Sequence, residues 1–270
     1  MPASFPLVVG TLNLASGRGA AGRPLPPDEL AAAVADLHVD VLAVQEVDAC
    51  QPRSGQADQA AVLARALGAD WRMVPTLLGT PGPSRSWSAV DRPVPRGPGE
   101  PADDPAYGVA LLSRRPVRRW TAIGLGAGRG RLPMRVTDPR TGRPRLWFFP
   151  DEPRAAVVAE LDGLTVVGTH LSFAPVTAAR QLRLLRRWAG TTTGPLVLAG
   201  DLNLPGGVPA RLFGAEPLVR APSYPGAEPR LQLDHLLGRG VRATSTEVRV
   251  LPVGDHRLVL AELTPACSAG

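Results

Sequence analysis

Short apolar runs, each closing on or leading into a carboxylate, an amide or an imidazole, recur along this chain a whole structural unit apart. Leu7–Leu12 closes on Asn13, and Val39–Val47 carries Gln45 and Glu46. Leu164–His170 ends in Thr-His, and Leu196–Ala199 leads through Gly200 to Asp201, with Asn203 two positions on. Toward the C-terminal end stand Leu233-Asp234-His235 and Gly254-Asp255-His256. Apolar runs of this length bounded by turn residues have the pattern of buried strands. In a layered fold the polar groups at such strand ends can converge on one rim, where ligands usually bind.

The segments between them read as helices and loops. Asp28–Leu37 predicts a helix with Asp28 and Glu29 in its first turn, where negative charge suits the dipole. Ala57–Leu67 predicts a second helix, stopped by Gly68. Ala178–Trp188 predicts a third, with Leu182, Leu185 and Trp188 on one side and a solvated basic face elsewhere. Trp71–Leu77, Tyr107–Leu112, Ala155–Leu161, Leu231–Leu237, Glu247–Leu251 and Leu258–Leu263 add strands, and Asp162-Gly163 marks a hairpin. The proline-rich stretch 79–105 reads as a long surface loop that could cover a site. The sum is one α/β domain over 1–264 built on two packed sheets, with a short tail at 265–270.

Composition narrows the class. Hydrophobic residues make up 44% and charged residues 20%, the balance of a globular domain. No apolar run approaches membrane-spanning length, and no secretory leader pattern opens the chain. Cys50 and Cys267 form neither a disulfide framework nor a metal cluster, so a reducing, cytoplasmic setting is expected. All 30 basic residues are arginine and none is lysine. Isoleucine occurs once and asparagine only at Asn13 and Asn203. That bias matches a G/C-rich coding background, so a net charge of +6 says little about a polyanionic partner. The longest basic runs are Arg-Arg pairs, too short for a nucleic-acid-coating protein. Both surviving asparagines fall in the blocks where chemistry is expected. Oxygen and amide donors without a Cys/His cluster favour Mg²⁺ or Mn²⁺ over Zn²⁺.

The blocks Asn13, Gln45-Glu46, Tyr107-Gly108, Thr169-His170-Leu171, Gly200-Asp201-Leu202-Asn203 and Asp255-His256 stand in the order of one superfamily. The chain resembles the endonuclease/exonuclease/phosphatase group, which includes DNase I, abasic endonucleases, inositol polyphosphate 5-phosphatases, neutral sphingomyelinases and deadenylases. It is most similar to small bacterial members with a segment like Arg53-Ser54-Gly55 to Asp58-Gln59. The resemblance implies a four-layer α/β/β/α sandwich of two packed mixed sheets. It implies a divalent ion held by Glu46, with Asn13 and Asp255 near its shell. Asp201 would orient or deprotonate the attacking water, and Asn203 would hold a phosphate oxygen or that water. Asp234 would hydrogen-bond His256, raising its pKa so that the imidazolium stabilises phosphoryl charge. Glycine at 254 replaces the serine usual before that Asp-His pair. His170 stands where DNase I-like and sphingomyelinase-like members carry a second histidine and abasic endonucleases carry tyrosine. Asn13, His170, Asn203 and Tyr107 would face the substrate.

His235, next to Asp234 on an apolar strand, is expected to be structural, and His38 to lie on a surface loop. The reaction implied is metal-dependent hydrolysis of a phosphate ester by in-line attack of water in a monomeric enzyme. Substrate stays open at this point: a nucleic-acid or other phosphodiester, a small or lipid-headgroup phosphomonoester, or phosphate binding without catalysis.

Overall fold

A computed structural model describes residues 6–19, 21–82, 86–100, 104–137 and 142–266; Cys267 and the last residues of the expected tail lie outside them. In chain order the first half contains β1 (Leu7–Asn13), α1 (Pro27–Ala32), β2 (Val41–Ala49), α2 (Gln59–Leu67), β3 (Asp70–Gly79), β4 (Trp87–Ala89) and β5 (Ala106–Ser113). Next come β6 (Arg119–Gly126), β7 (Arg131–Thr137), β8 (Pro144–Pro150), β9 (Arg154–Glu160), β10 (Thr165–His170) and α3 (Pro175–Ala189). The chain closes with β11 (Leu196–Asp201), α4 (Val208–Phe213), β12 (Glu216–Pro217), β13 (Asp234–Arg239), β14 (Val241–Arg249) and β15 (Leu258–Pro265).

Two mixed sheets carry the fold. One runs β14-β15-β1-β2-β5-β3-β4 and the other β12-β13-β11-β10-β9-β6, while β7 and β8 form a separate ribbon. Among the described residues only β1–β2 in the first sheet and β10–β11 in the second pair parallel. Between the sheets lie Val9, Val41, Ala43, Leu111, Val157, Val166, Val197 and Val259, all buried. Leu30, Val34, Leu63 and Leu67 from the first two helical segments cover the outer face of the first sheet. Ala178, Leu182 and Leu185 of α3, with Phe213 of α4, cover the outer face of the second. This is the four-layer α/β/β/α sandwich, because each sheet has two apolar faces to bury.

Local chemistry explains the helices. Buried Ala60, Leu63, Ala64 and Leu67 follow the three- and four-residue spacing of one helix face, and the Asp58 carboxylate accepts the Ala61 N–H at its start. The first helix is shorter than expected. Beyond Ala32 the N–H groups of Val34 and Leu37 bond back only three residues, to Ala31 and Val34. Val34 and Leu37 still reach the sheet as part of the buried core.

Several elements escaped the sequence pattern. The residues of β6 are mostly half-exposed, β8 is mostly exposed, and α4 spans six residues, so none shows a clear apolar period. The 79–105 stretch contains β4, with Trp87 packed on Leu77 and Tyr107, and Arg96 pairs with Met73. Its described part is therefore sheet edge as well as loop. Strand β14 starts at Val241, not Glu247, and β13 starts at Asp234, not Leu231. Among the described residues no helix is long and apolar enough to cross a membrane.

Close packing at the rim imposes one residue choice with a measurable consequence. A Cβ on Gly200 would sit 2.0 Å from the carbonyl oxygen of Thr169, its partner in the parallel pair. Gly200→Ala must push β10 and β11 apart just where His170 and Asp201 begin. We expect it to cost roughly 3 kcal/mol, the upper range for overpacking, read as a lower midpoint of urea unfolding. A midpoint equal to that of the unaltered chain would contradict the contact.

Candidate active site

The polar groups meet on one rim, but not all at C-terminal strand ends. Asn13, Glu46, His170 and Asp201 come from β1, β2, β10 and β11, running toward the rim. Tyr107, Arg154 and Asp234 open the antiparallel strands β5, β9 and β13, and Asp255-His256 precede the antiparallel β15. Strand starts therefore supply as much of the site as strand ends, because antiparallel neighbours bring their N-terminal ends to the same edge.

Asn13 lies at the centre of this cluster. Its amide oxygen accepts the Ala15 N–H at 3.0 Å, which fixes the orientation of the amide. The amide nitrogen then donates to Glu46 Oε1 at 3.2 Å and to Asp201 Oδ2 at 3.1 Å. One NH₂ thus bridges two carboxylates from different sheets. Glu46 is presented by a bulge: β2 and β5 shift register between Val44 and Val47, and Glu46 takes φ 56°. A non-glycine residue in that conformation costs about 1–3 kcal/mol, and such strain clusters at functional sites. Glu46 is half-exposed at the rim.

Asp201 and His256 are driven in opposite directions. Asp201 is buried; desolvation first, then the charge of Asp234, pushes its pKa up to about 7. The His256 charge, the Asn203 N–H (2.9 Å to Oδ1) and the Asn13 amide hold it back from rising further. Burial alone would lower the His256 pKa. The 2.7 Å hydrogen bond to Asp234 Oδ2 and the charges of Asp234, Asp201 and Asp255 outweigh it and push it up to about 10. His256 is therefore an imidazolium at neutral pH, with Nε2 3.8 Å from Asp201 Oδ2. Asp201, Asp234 and His256 present donor atoms within 4.8 Å of one another, a cluster capable of coordinating a divalent metal.

His170 is buried and its pKa lies well below the usual imidazole range, first through desolvation and then through the charges of Arg154 and His256. Its Nε2 lies 3.1 Å from the Asn203 amide nitrogen and 3.5 Å from Asp201 Oδ2. Asn203, at φ 50°, also donates to the Leu171 carbonyl at 3.0 Å. Gly254 has a local reason to be glycine: its φ is +80°, and a Cβ there would meet the Asn13 carbonyl oxygen at 2.5 Å. Asp255 is exposed, its Oδ1 4.0 Å from His256 Nε2. Tyr107 is buried and packs beneath the guanidinium of Arg53, 5.5 Å from the ring centroid. Outside the cluster, buried His235 bonds through Nε2 to the Leu204 carbonyl, and His38 is exposed.

Three contributors escaped the sequence reading. Tyr224 packs its ring 4.6 Å from His256, and burial, then the charges of Asp255, Asp201 and Glu46, raises its pKa. Buried Arg154 and partly exposed Glu152 pair at 3.4 Å behind His170. Arginine was too plentiful for Arg154 to stand out, and Tyr224 sits in a loop without a strand pattern. The Arg53–Gln59 segment is a brace: Arg53 makes a two-pronged pair with buried Asp48, and Gln59 ties the Asp48 N–H to the Ser16 carbonyl.

Comparison with known proteins agrees with this geometry. Residues 10–257 match the Endonuclease/Exonuclease/phosphatase family. The chain belongs to this family. No curated protein sequence matches it. Similar solved structures include an endonuclease/exonuclease/phosphatase from Beutenbergia cavernae, 18% identical, TM-score 0.64, covering 96% of this chain and 72% of that one. A mannosyl-6-phosphatase from Bacteroides thetaiotaomicron is 14% identical with TM-score 0.61 over 96% of this chain and 99% of the other. Sphingomyelinase C from Streptomyces griseocarneus is 19% identical with TM-score 0.52 over 96% and 99%. At these identities the structures establish the fold. The family's fold and the metal-capable cluster together make the chain a metal-dependent hydrolase acting on phosphate ester bonds.

Proposed function

We propose that this family member hydrolyses a phosphodiester by in-line attack of a water that Asp201 deprotonates. The observation that carries the reading is the opposed pair at the rim: a carboxylate at about 7 beside an imidazolium at about 10. Two titratable groups pushed apart in this way suit the base and the cation of one reaction at neutral pH. Asp201, held by the Asn203 N–H and the Asn13 amide, takes the proton. The ester P–O bond opposite the incoming water breaks, its oxygen departing as the alcohol with a proton from solvent. Meanwhile His256, held by Asp234, donates a hydrogen bond from Nε2–H to a non-bridging oxygen on phosphorus, where negative charge builds. His170 and Asn203 flank the same place, and Tyr224 walls the far side of His256.

The donor set fits a hard divalent ion. Among the described residues Glu46 makes no ion pair, feeling Arg53 and Arg154 only through space, and its side-chain hydrogen bond comes from the Asn13 amide. Asp255 leaves an exposed carboxylate beside the same cluster. Glu46 and Asp255 would hold Mg²⁺ or Mn²⁺, with Asn13 orienting Glu46. Bound there, the ion supplies Lewis-acid polarisation of a phosphoryl oxygen.

Charge balance favours a diester over a monoester. Arg53 is neutralised by Asp48 and Arg154 by Glu152, so neither guanidinium at the site is left over. A singly charged diester matches that balance better than a dianionic monoester. The test is hydrolysis of bis-p-nitrophenyl phosphate, p-nitrophenyl phosphate and plasmid DNA with Mg²⁺, Mn²⁺ or EDTA. The expected result is cleavage of the diester above the monoester, abolished by EDTA. Faster turnover of the monoester would move the reading to a phosphomonoesterase, and EDTA-resistant activity would remove the metal from it.

A further inference from the structure

The two neighbours of the His170 ring cannot both be served by a neutral imidazole. Arg154 Nη1 lies 3.1 Å from Nδ1, and the Asn203 amide nitrogen lies 3.1 Å from Nε2. A guanidinium has only donors. The Asn203 amide is fixed with its NH₂ on this side by the Leu171 carbonyl, at 3.0 Å. If both donated, the ring would have to accept at both nitrogens, which no neutral tautomer does. A buried, charged donor takes precedence over a neutral amide. Arg154 is 5% exposed and paired with Glu152 at 3.4 Å. An acceptor is also waiting on the other side, Asp201 Oδ2 at 3.5 Å from Nε2.

We propose that Arg154 is a positioning residue that locks His170 as the Nε2–H tautomer, so that a neutral ring aims a proton at Asp201 and at the oxygen of a bound phosphate ester. Arg154 does not touch the substrate; it acts through His170. Glu152 balances its charge, so the site gains a directed donor without a second net cation. The division of labour at the rim follows: His256 is the charged donor, set by a carboxylate on its Nδ1, and His170 the neutral donor, set by a guanidinium on its Nδ1. The Nε2 contact with Asn203 is then not a hydrogen bond in the resting protein. Held by the Leu171 carbonyl, the Asn203 NH₂ stays beside the ring's Nε2–H, so His170 and Asn203 can act together on one ligand oxygen.

The catalytic consequence rests on the phosphodiesterase reading above, but the tautomer does not, so the two can fail separately. The experiment is a long-range ¹H–¹⁵N spectrum of the protein labelled at its histidines, without substrate, with His170 assigned by its loss in His170→Gln. The expected pattern for His170 is a protonated Nε2 and a bare Nδ1. In Arg154→Met the pattern shifts toward Nδ1–H or a mixture, and Arg154→Lys, a donor-only replacement, restores it. Glu152→Gln with Arg154→Met removes both charges and stands in should the single variant not fold. With a diester substrate, Arg154→Met is expected to lower kcat by roughly a hundredfold, the effect of losing one aimed donor, with KM little changed. A wild-type His170 carrying its proton on Nδ1, or an Nε2–H pattern that survives removal of Arg154, overturns the proposal.

Discussion

Asp201→Asn is expected to lower kcat by about a thousandfold while leaving a folded protein. The magnitude is that of a positioned general base, and the pH profile separates this role from a structural one. In the unaltered protein kcat/KM should rise tenfold per pH unit until about 7, where Asp201 loses its proton, and fall above about 10, where His256 loses its own. Asp201→Asn should erase the acidic limb, and His256→Gln the alkaline one. The stability sign also follows. Burial raises the Asp201 pKa above its unfolded value, so its contribution is favourable below about pH 4 and is lost as pH rises toward 7. The neutral asparagine removes that loss. The melting temperature of Asp201→Asn at pH 8 should therefore not fall below that of the unaltered chain. An intact acidic limb in the variant would exclude Asp201 as the base.

Glu46→Gln is the second large effect. Glutamine keeps the length of the side chain and an oxygen for the Asn13 amide, so the 3.2 Å contact can persist. It removes a rim charge that Arg53 and Arg154 feel only at a distance, without an ion pair among the described residues. We expect Mn²⁺ affinity by calorimetry to collapse and kcat/KM to drop roughly a thousandfold, about 4 kcal/mol of transition-state stabilisation. High Mn²⁺ should recover part of the loss. Unchanged Mn²⁺ binding would move the ion to the Asp201–Asp234–His256 cluster, where the Asp234–His256 bond would have to open first.

The pattern of apolar runs was enough to read the layers, because each buried strand must be apolar on both faces when helices cover one side and a sheet the other. Segments that are exposed or short, β6, β8 and α4, carry no such constraint and were missed. Asn13, Glu46, His170, Asp201, Asn203, Asp234 and His256 stood out because they punctuate apolar runs in the order of the resembled family's blocks, and the fold brings them to one rim. In a chain almost emptied of asparagine, and with few polar groups inside apolar runs, those that remain need a local purpose.

Tertiary packing decided the rest. Asn13 and Asp201 are 188 positions apart in sequence, yet one amide joins them, because two sheets press their rims together. Arg154 and Tyr224 became visible only when antiparallel strands and a loop were brought to the same edge. The protonation of Asp201 and His256 is likewise a property of burial and of neighbours drawn from distant strands, not of residue type. Sequence by itself thus determined which polar groups close the apolar runs. Only the packed structure decided which of them are charged, which way each proton points, and which of the thirty arginines matters.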